Sequence, residues 1–150
     1  MTFLARVEAS SEYVEYTSDV ERAALAVLDE EKAESGALTI VLTDIAQMQT
    51  LNREFSGQDI STDVLSFPDG TIDPDLNLMY FGDIIIAVPV AREQAKRAEH
   101  STNEELMLLT IHGTLHLLGF DHTLPHEKDT MWTHQGRILR KLGIKIQSLD

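Results

Sequence analysis

The chain has 150 residues, a formal net charge of −13 at pH 7 and no cysteine. That length makes one domain, residues 1–150, with a core that stands without staples, and the missing thiols exclude disulfides and thiolate metal ligands. The charge runs against a surface that grips phosphates non-specifically, so any nucleic-acid-binding role needs a local basic strip, the charge of a metal, or a partner that presents the nucleic acid.

No apolar run is long enough to span a bilayer, and Met1 to Glu8 lacks the basic and apolar blocks of a secretion signal. The expectation is a cytoplasmic protein. Phe3 to Ala9 alternates as a short first strand. Ser18-x-x-Glu21 fits a capping box for a helix running to about Glu34, with Ser35-Gly36 as its stop. Ala37 to Thr43 is a β-branched apolar run, a buried strand. Asp44 caps a second helix through Phe55, and Ser56 to Asp59 reads as a turn. Val64 to Phe67 is a strand core that Pro68 places at a sheet edge. Asp69 to Asn77, with Gly70 and Pro74, reads as a loop. Tyr80 to Val88 is the strongest strand, and Gly82 in it hints at a bulge or a close approach. Asp83 beside that glycine is read as a paired carboxylate.

Pro89 opens a third helix, on which Arg92, Lys96 and Arg97 share a broad basic face. Ser101-x-x-Glu104 and Thr102-x-x-Glu105 are overlapping capping boxes for the next helix. Its segment from Leu106 to Leu118 is apolar almost all round, which predicts burial. Pro125 to Leu142, closed by Gly143, is a last helix. The order β, α, β, α, β, β, α, α, α predicts an α+β domain, a mixed four-stranded sheet covered by helices.

The chemistry concentrates at the end of the buried helix. His112 and His116 lie four apart and so share a helical face. Gly119 supplies the stop, because a helix C′ position often takes a positive φ. The chain can then turn and bring His122 back to the first two. Three imidazoles with one open position describe a catalytic zinc site more than a closed structural one. His100, His126 and His134 are read as surface residues. The spacing H-x-x-x-H-x-x-G-x-x-H is that of metzincin proteases, but the general-base Glu after the first His is replaced by Gly113. That argues against an ordinary peptidase.

The same run, His112-Gly113-x-Leu115-His116-Leu117-x-Gly119-Phe120-Asp121-His122, resembles the signature of the YbeY family, bacterial endoribonucleases of ribosomal RNA maturation. Thr62-Asp63-Val64-Leu65-Ser66-Phe67-Pro68 matches its second block and Gly82-Asp83-Ile84 its third, and Leu51 to Phe55 resembles the helix end before the second block. The likeness covers most of the chain from about Leu51. It implies an α+β, zincin-like fold and one Zn²⁺ per chain held by His112, His116 and His122. It also implies single-strand-specific cleavage of ribosomal RNA precursors in small-subunit 3′-end maturation and quality control, with small-subunit ribosomal proteins or assembly factors as partners. Many members carry Arg directly after the aromatic residue of the helix end, where Ser56 stands here; Arg53, three residues earlier, is the nearest substitute.

Zinc would lower the pKa of a bound water to about 7, which softens the loss of the motif Glu. No general base is assigned. The candidates around a metal-bound water are Asp121, which either orients a ligand imidazole or holds the turn, Ser66 as a hydrogen-bond donor, and Arg53. Two other readings stand beside the nuclease: a zinc hydrolase of peptides or small molecules, and a non-enzymatic assembly factor whose zinc is structural, with His126 as its candidate fourth ligand.

Overall fold

The edge strand, the central strands and one buried helix together create the site, so the sheet is the place to begin. The computed structural model describes residues 1–56 and 62–146. Its strands are β1 (Phe3–Ala9), β2 (Gly36–Thr43), β3 (Val64–Pro68), β4 (Ile72–Asp73) and β5 (Leu78–Ala87). Its helices are α1 (Thr17–Glu30), α2 (Ile45–Ser56), α3 (Val88–Ala98), α4 (Thr102–Leu117) and α5 (Pro125–Lys141).

The sheet runs β1-β2-β5-β3. β1, β2 and β5 are parallel, and β3 lies antiparallel to β5 as an edge strand. Both faces of β2 and β5 are covered, which is why they read as near-continuous apolar runs. Period-two alternation divides β5 between the layers. Ile84 and Ile86 pack with Leu106, Leu109 and Leu117 of α4, while Ile85 and Ala87 pack with Met48 of α2 on the other face.

The sheet has five strands where the sequence predicts four. β4 pairs Ile72 with Met79 and Asp73 with Leu78, inside the stretch expected to be loop. This two-residue arm buries little, so no apolar pattern marks it. The turn holds it: the Asp73 carboxylate accepts from the N–H groups of Asp75 and Leu76.

Gly82 makes both the bulge and the close approach. Register against β2 skips Phe81, and a Cβ on Gly82 would lie 2.2 Å from the Phe67 carbonyl oxygen. Asp83 is paired, with a hydroxyl and not a cation: Tyr80 Oη donates to it, and Thr39 Oγ1 lies 2.7 Å from the same phenol. Burial first, then that carboxylate, pushes the Tyr80 hydroxyl up to about 12.

Helix α1 differs from expectation at both ends. It starts at Thr17 after a 3₁₀ turn, Val14–Tyr16, so Ser18 lies inside the first turn and caps nothing. It stops at Glu30 because Lys32 takes the left-handed conformation (φ 53°), with Ala33 N–H reaching the Leu28 carbonyl. Ser35-Gly36 is therefore not the stop, and Gly36 already pairs with Phe3. For α2 the cap is as expected, Asp44 Oδ1 accepting from Gln47 N–H at 2.8 Å. The turn expected from Ser56 to Asp59 lies, beyond Ser56, outside the described residues.

Helix α4 is buried on every side, against β3 and β5 below and α1, α3 and α5 around it. Of its two overlapping capping boxes the chain uses one: Ser101 Oγ accepts from Glu104 N–H, and Glu104 Oε1 from Ser101 N–H. Glu105 is spared for His100, whose Nε2 lies 2.6 Å from its carboxylate. His100 is thus a largely buried partner, not a surface residue. His134 is likewise half-buried, 2.8 Å from Glu31, with its ring tilted against that of Phe120 at 4.8 Å. A buried carboxylate needs a partner, and sequence position does not reveal which histidines supply one. No helix among the described residues is long and apolar enough to cross a membrane.

Candidate metal centre

His112 and His116 stand one turn apart near the C-terminal end of α4. The helix closes with Gly119 at φ 102°, its N–H on the His116 carbonyl, and Phe120 N–H on the Leu115 carbonyl. This is the Schellman arrangement, and its left-handed position explains the glycine. The chain reverses there and carries His122 back. One ligand atom from each of His112, His116 and His122 lies within 4.8 Å of the others. Ring centroids are 4.7, 5.3 and 5.1 Å apart.

The donor set fits a metal of the zinc class. Tetrahedral bonds of about 2.0–2.1 Å place neighbouring nitrogens about 3.3–3.4 Å apart. His112 Nε2 and His116 Nε2 are 3.2 Å apart. His122, exposed on the loop after the turn, completes the group within 4.8 Å. Among the described residues no fourth His or carboxylate joins the three, and His126, exposed at the start of α5, stands outside the group.

Burial shapes the electrostatics. His112 is 7% exposed. Desolvation pushes its pKa down to about 4, against the opposing hydrogen bond from Gln135 and with added repulsion from His116 and His122. His116 is lowered as well, first by burial and then by His122. Burial thus disfavours the charged form of both rings, the direction that metal ligation requires.

The sign of the pH dependence follows. The folded pKa of His112 lies below its unfolded value near 6.5, so the unfolded chain binds the proton more readily. The contribution to stability is complete above pH 6.5 and is lost as pH falls from 6.5 towards 4. Metal-free protein should lose about 2 kcal/mol between pH 7 and pH 5 from this residue. Urea unfolding at the two pH values in the presence of a chelator measures it, and equal midpoints would contradict the burial argument.

A groove of about 360 Å³ runs beside the histidines, lined by Asp63, Val64, Leu65, Ser66 and Pro68 of the edge strand and its lead-in, and by His112, His116 and His122. Of the other candidates, Ser66 lies at the seam between β3 and α4, its Oγ donating to the Gly113 carbonyl at 3.4 Å. Asp121 accepts from His122 N–H at 2.7 Å and from Thr123 Oγ1 at 3.1 Å, and those bonds hold its carboxyl below the usual range. These are the contacts of a turn residue that shapes the loop carrying His122. Arg53 is exposed in the last turn of α2 and does not line the groove.

Two residues at the site carried no sequence signal. Gln135 Oε1 accepts from His112 Nδ1 at 3.0 Å. Trp132, one turn earlier on α5, stands edge-on to His112 and His122 at 5.7 and 5.6 Å, with Lys128 over its ring. Asp63, at the start of the Thr62–Pro68 block, also lines the groove. Its Oδ1 accepts from Val64 N–H, and its Oδ2 is 3.3 Å from Gln94 Nε2.

Comparison with known proteins bears on this geometry. A family model described as "Endoribonuclease YbeY" matches residues 6–143. The chain is 41% identical over 115 residues to a protein named Endoribonuclease YbeY from Carboxydothermus hydrogenoformans, covering 77% of this chain and 78% of the other. It is 42% identical over 140 residues to one of the same name from Beutenbergia cavernae, covering 88% and 93%. The solution structure of TM1509 from Thermotoga maritima matches with a TM-score of 0.62 at 22% identity, covering 93% of this chain and 91% of that one, a likeness of fold.

Proposed function

The chain belongs to the YbeY endoribonuclease family, and from that premise we propose that it is a zinc-dependent endoribonuclease of single-stranded ribosomal RNA precursors. The observation that carries the reading is the convergence of three imidazoles in a groove bounded by a sheet edge.

The zinc ligands are His112, His116 and His122. When bound there, the metal supplies a Lewis acid for phosphoryl oxygens and for the acidity of a water. The protein's own part is positional. α4 fixes two imidazoles one turn apart, and the Gly119 turn delivers the third. β3, with no strand on its outer edge among the described residues, offers backbone groups along the groove to an extended strand. Ser66 and Asp63 lie on that wall. An open, shallow groove of this kind admits a single strand more readily than a duplex.

Among the described residues the groove wall contains no Lys or Arg, and the chain carries −13. Phosphate attraction therefore comes from the site's cation and from basic ribosomal proteins that present the substrate. Small-subunit assembly is the setting this implies, with the cytoplasm as the compartment. The peptidase reading is weakened by the absence of a carboxylate after His112. The structural-zinc reading is weakened by the absence of a fourth ligand among the described residues.

The test is cleavage of a single-stranded small-subunit rRNA fragment by the purified chain, with basic ribosomal proteins added in parallel. A chelator should abolish cleavage and zinc should restore it. Cleavage that persists through chelation overturns the reading.

A further inference from the structure

Helix α5 buries Met131, Gln135, Ile138 and Leu139, and among these Gln135 alone is polar. It is fully buried, beside an apolar cluster of Met107, Leu108, Ile111, Leu115 and Met131. Burying a primary amide is unfavourable unless both its ends are bonded. Here one end is: Oε1 meets His112 Nδ1 at 3.0 Å. Nε2 has no partner among the described residues. Methionine would fill the same space without an unsatisfied donor, so packing does not explain the choice of glutamine.

The imidazole explains it. An acceptor against Nδ1 requires the proton to be on Nδ1. Nε2 then carries a lone pair, and His112 Nε2 is the atom that faces His116 Nε2 at 3.2 Å. We infer that Gln135 is a positioning residue for the metal centre: it holds His112 in the Nδ1–H tautomer and aims its Nε2 lone pair at the point shared with His116 and His122. The inference rests on reading those three histidines as metal ligands. Ligand histidines commonly bond an acceptor through their second nitrogen, which orients the ring and raises its basicity.

The experiment compares the full chain with Gln135→Met and Gln135→Glu, using Zn²⁺ in competition with a chromophoric chelator. Long-range ¹H–¹⁵N imidazole spectra then report the tautomer of His112. Gln135→Met should bind zinc about 10- to 100-fold more weakly while its metal-free fold is at least as stable as wild type. Gln135→Glu should bind at least as tightly as wild type. Wild-type affinity in Gln135→Met, or an equal loss in both variants, overturns the inference in favour of packing. Should the glutamate variant not fold, the spectra decide: wild type must show the Nδ1–H form with zinc, and an unchanged tautomer balance in metal-free Gln135→Met is an overturning result. Wild-type protein that takes up no zinc overturns the metal reading itself and this inference with it, a result distinct from normal wild-type uptake that Gln135→Met leaves unaltered.

Discussion

Replacing His116 with Ala is expected to reduce bound metal from about one ion per chain to background and to remove RNA cleavage with it. Two nitrogens one helical turn apart define most of the site, and His116 Nε2 is the one that faces His112 Nε2 at 3.2 Å. With it gone, only buried His112 and the exposed loop residue His122 are left, and two imidazoles on separate elements make a poor site for zinc. Losing an outer-shell partner commonly costs 10- to 100-fold in affinity, so losing a ligand should cost more than about 100-fold. The fold should survive. His116 is only partly buried, and desolvation and His122 already disfavour its charged form. Elemental analysis, circular dichroism and a cleavage assay on the same preparations separate these effects. A folded His116→Ala protein that still binds one zinc and still cuts RNA would place the metal centre elsewhere.

Much of this was legible in the residues, for reasons that differ from element to element. β2 and β5 declare themselves because buried parallel strands are apolar on both faces. α4 does so because it is apolar all round, and the candidate site because its three histidines are crowded into eleven residues with the turn glycine at a fixed offset. What stayed hidden depends on contacts between distant segments. A Gln on an amphipathic helix reads as a solvent-facing residue until α5 docks and buries Gln135 against His112. His100 and His134 read as surface residues until Glu105 and Glu31 are brought to them across five and 103 positions. The end of α1 was misplaced because lysine took the left-handed cap that glycine usually takes. The absence of a glutamate after His112 was legible as a fact, whereas its cause lies in the packing of α4 on the sheet.

That cause predicts the outcome of restoring the glutamate. Gly113 is buried, with its helix pressed on β5 and β3. A Cβ there would lie 2.9 Å from Ile84 Cγ2 and 3.1 Å from Ser66 Oγ. Ile84 is fully buried in a central strand, and its Cγ2 sits one bond from Cβ, so it cannot swing aside. Ala in place of Gly within a helix should gain about 1 kcal/mol in propensity, but overpacking of this kind costs about 1–3 kcal/mol. Gly113→Ala should therefore be neutral to about 2 kcal/mol less stable. Gly113→Glu adds a longer chain and a carboxylate to the same closed seam. Steric displacement of α4 and burial of a charge together should cost several kcal/mol, comparable with the roughly 5–15 kcal/mol that holds a domain together. The expected product is an insoluble or loosely packed protein without near-ultraviolet dichroism or a metal site, and not a peptidase. A Gly113→Glu protein with wild-type melting behaviour would refute the packing argument. The seam that excludes the glutamate also bears on chemistry. α4 lies too close to the sheet for a general base on the helix beside His112, so the proposed cleavage would draw its proton transfer from groups on the open side of the groove.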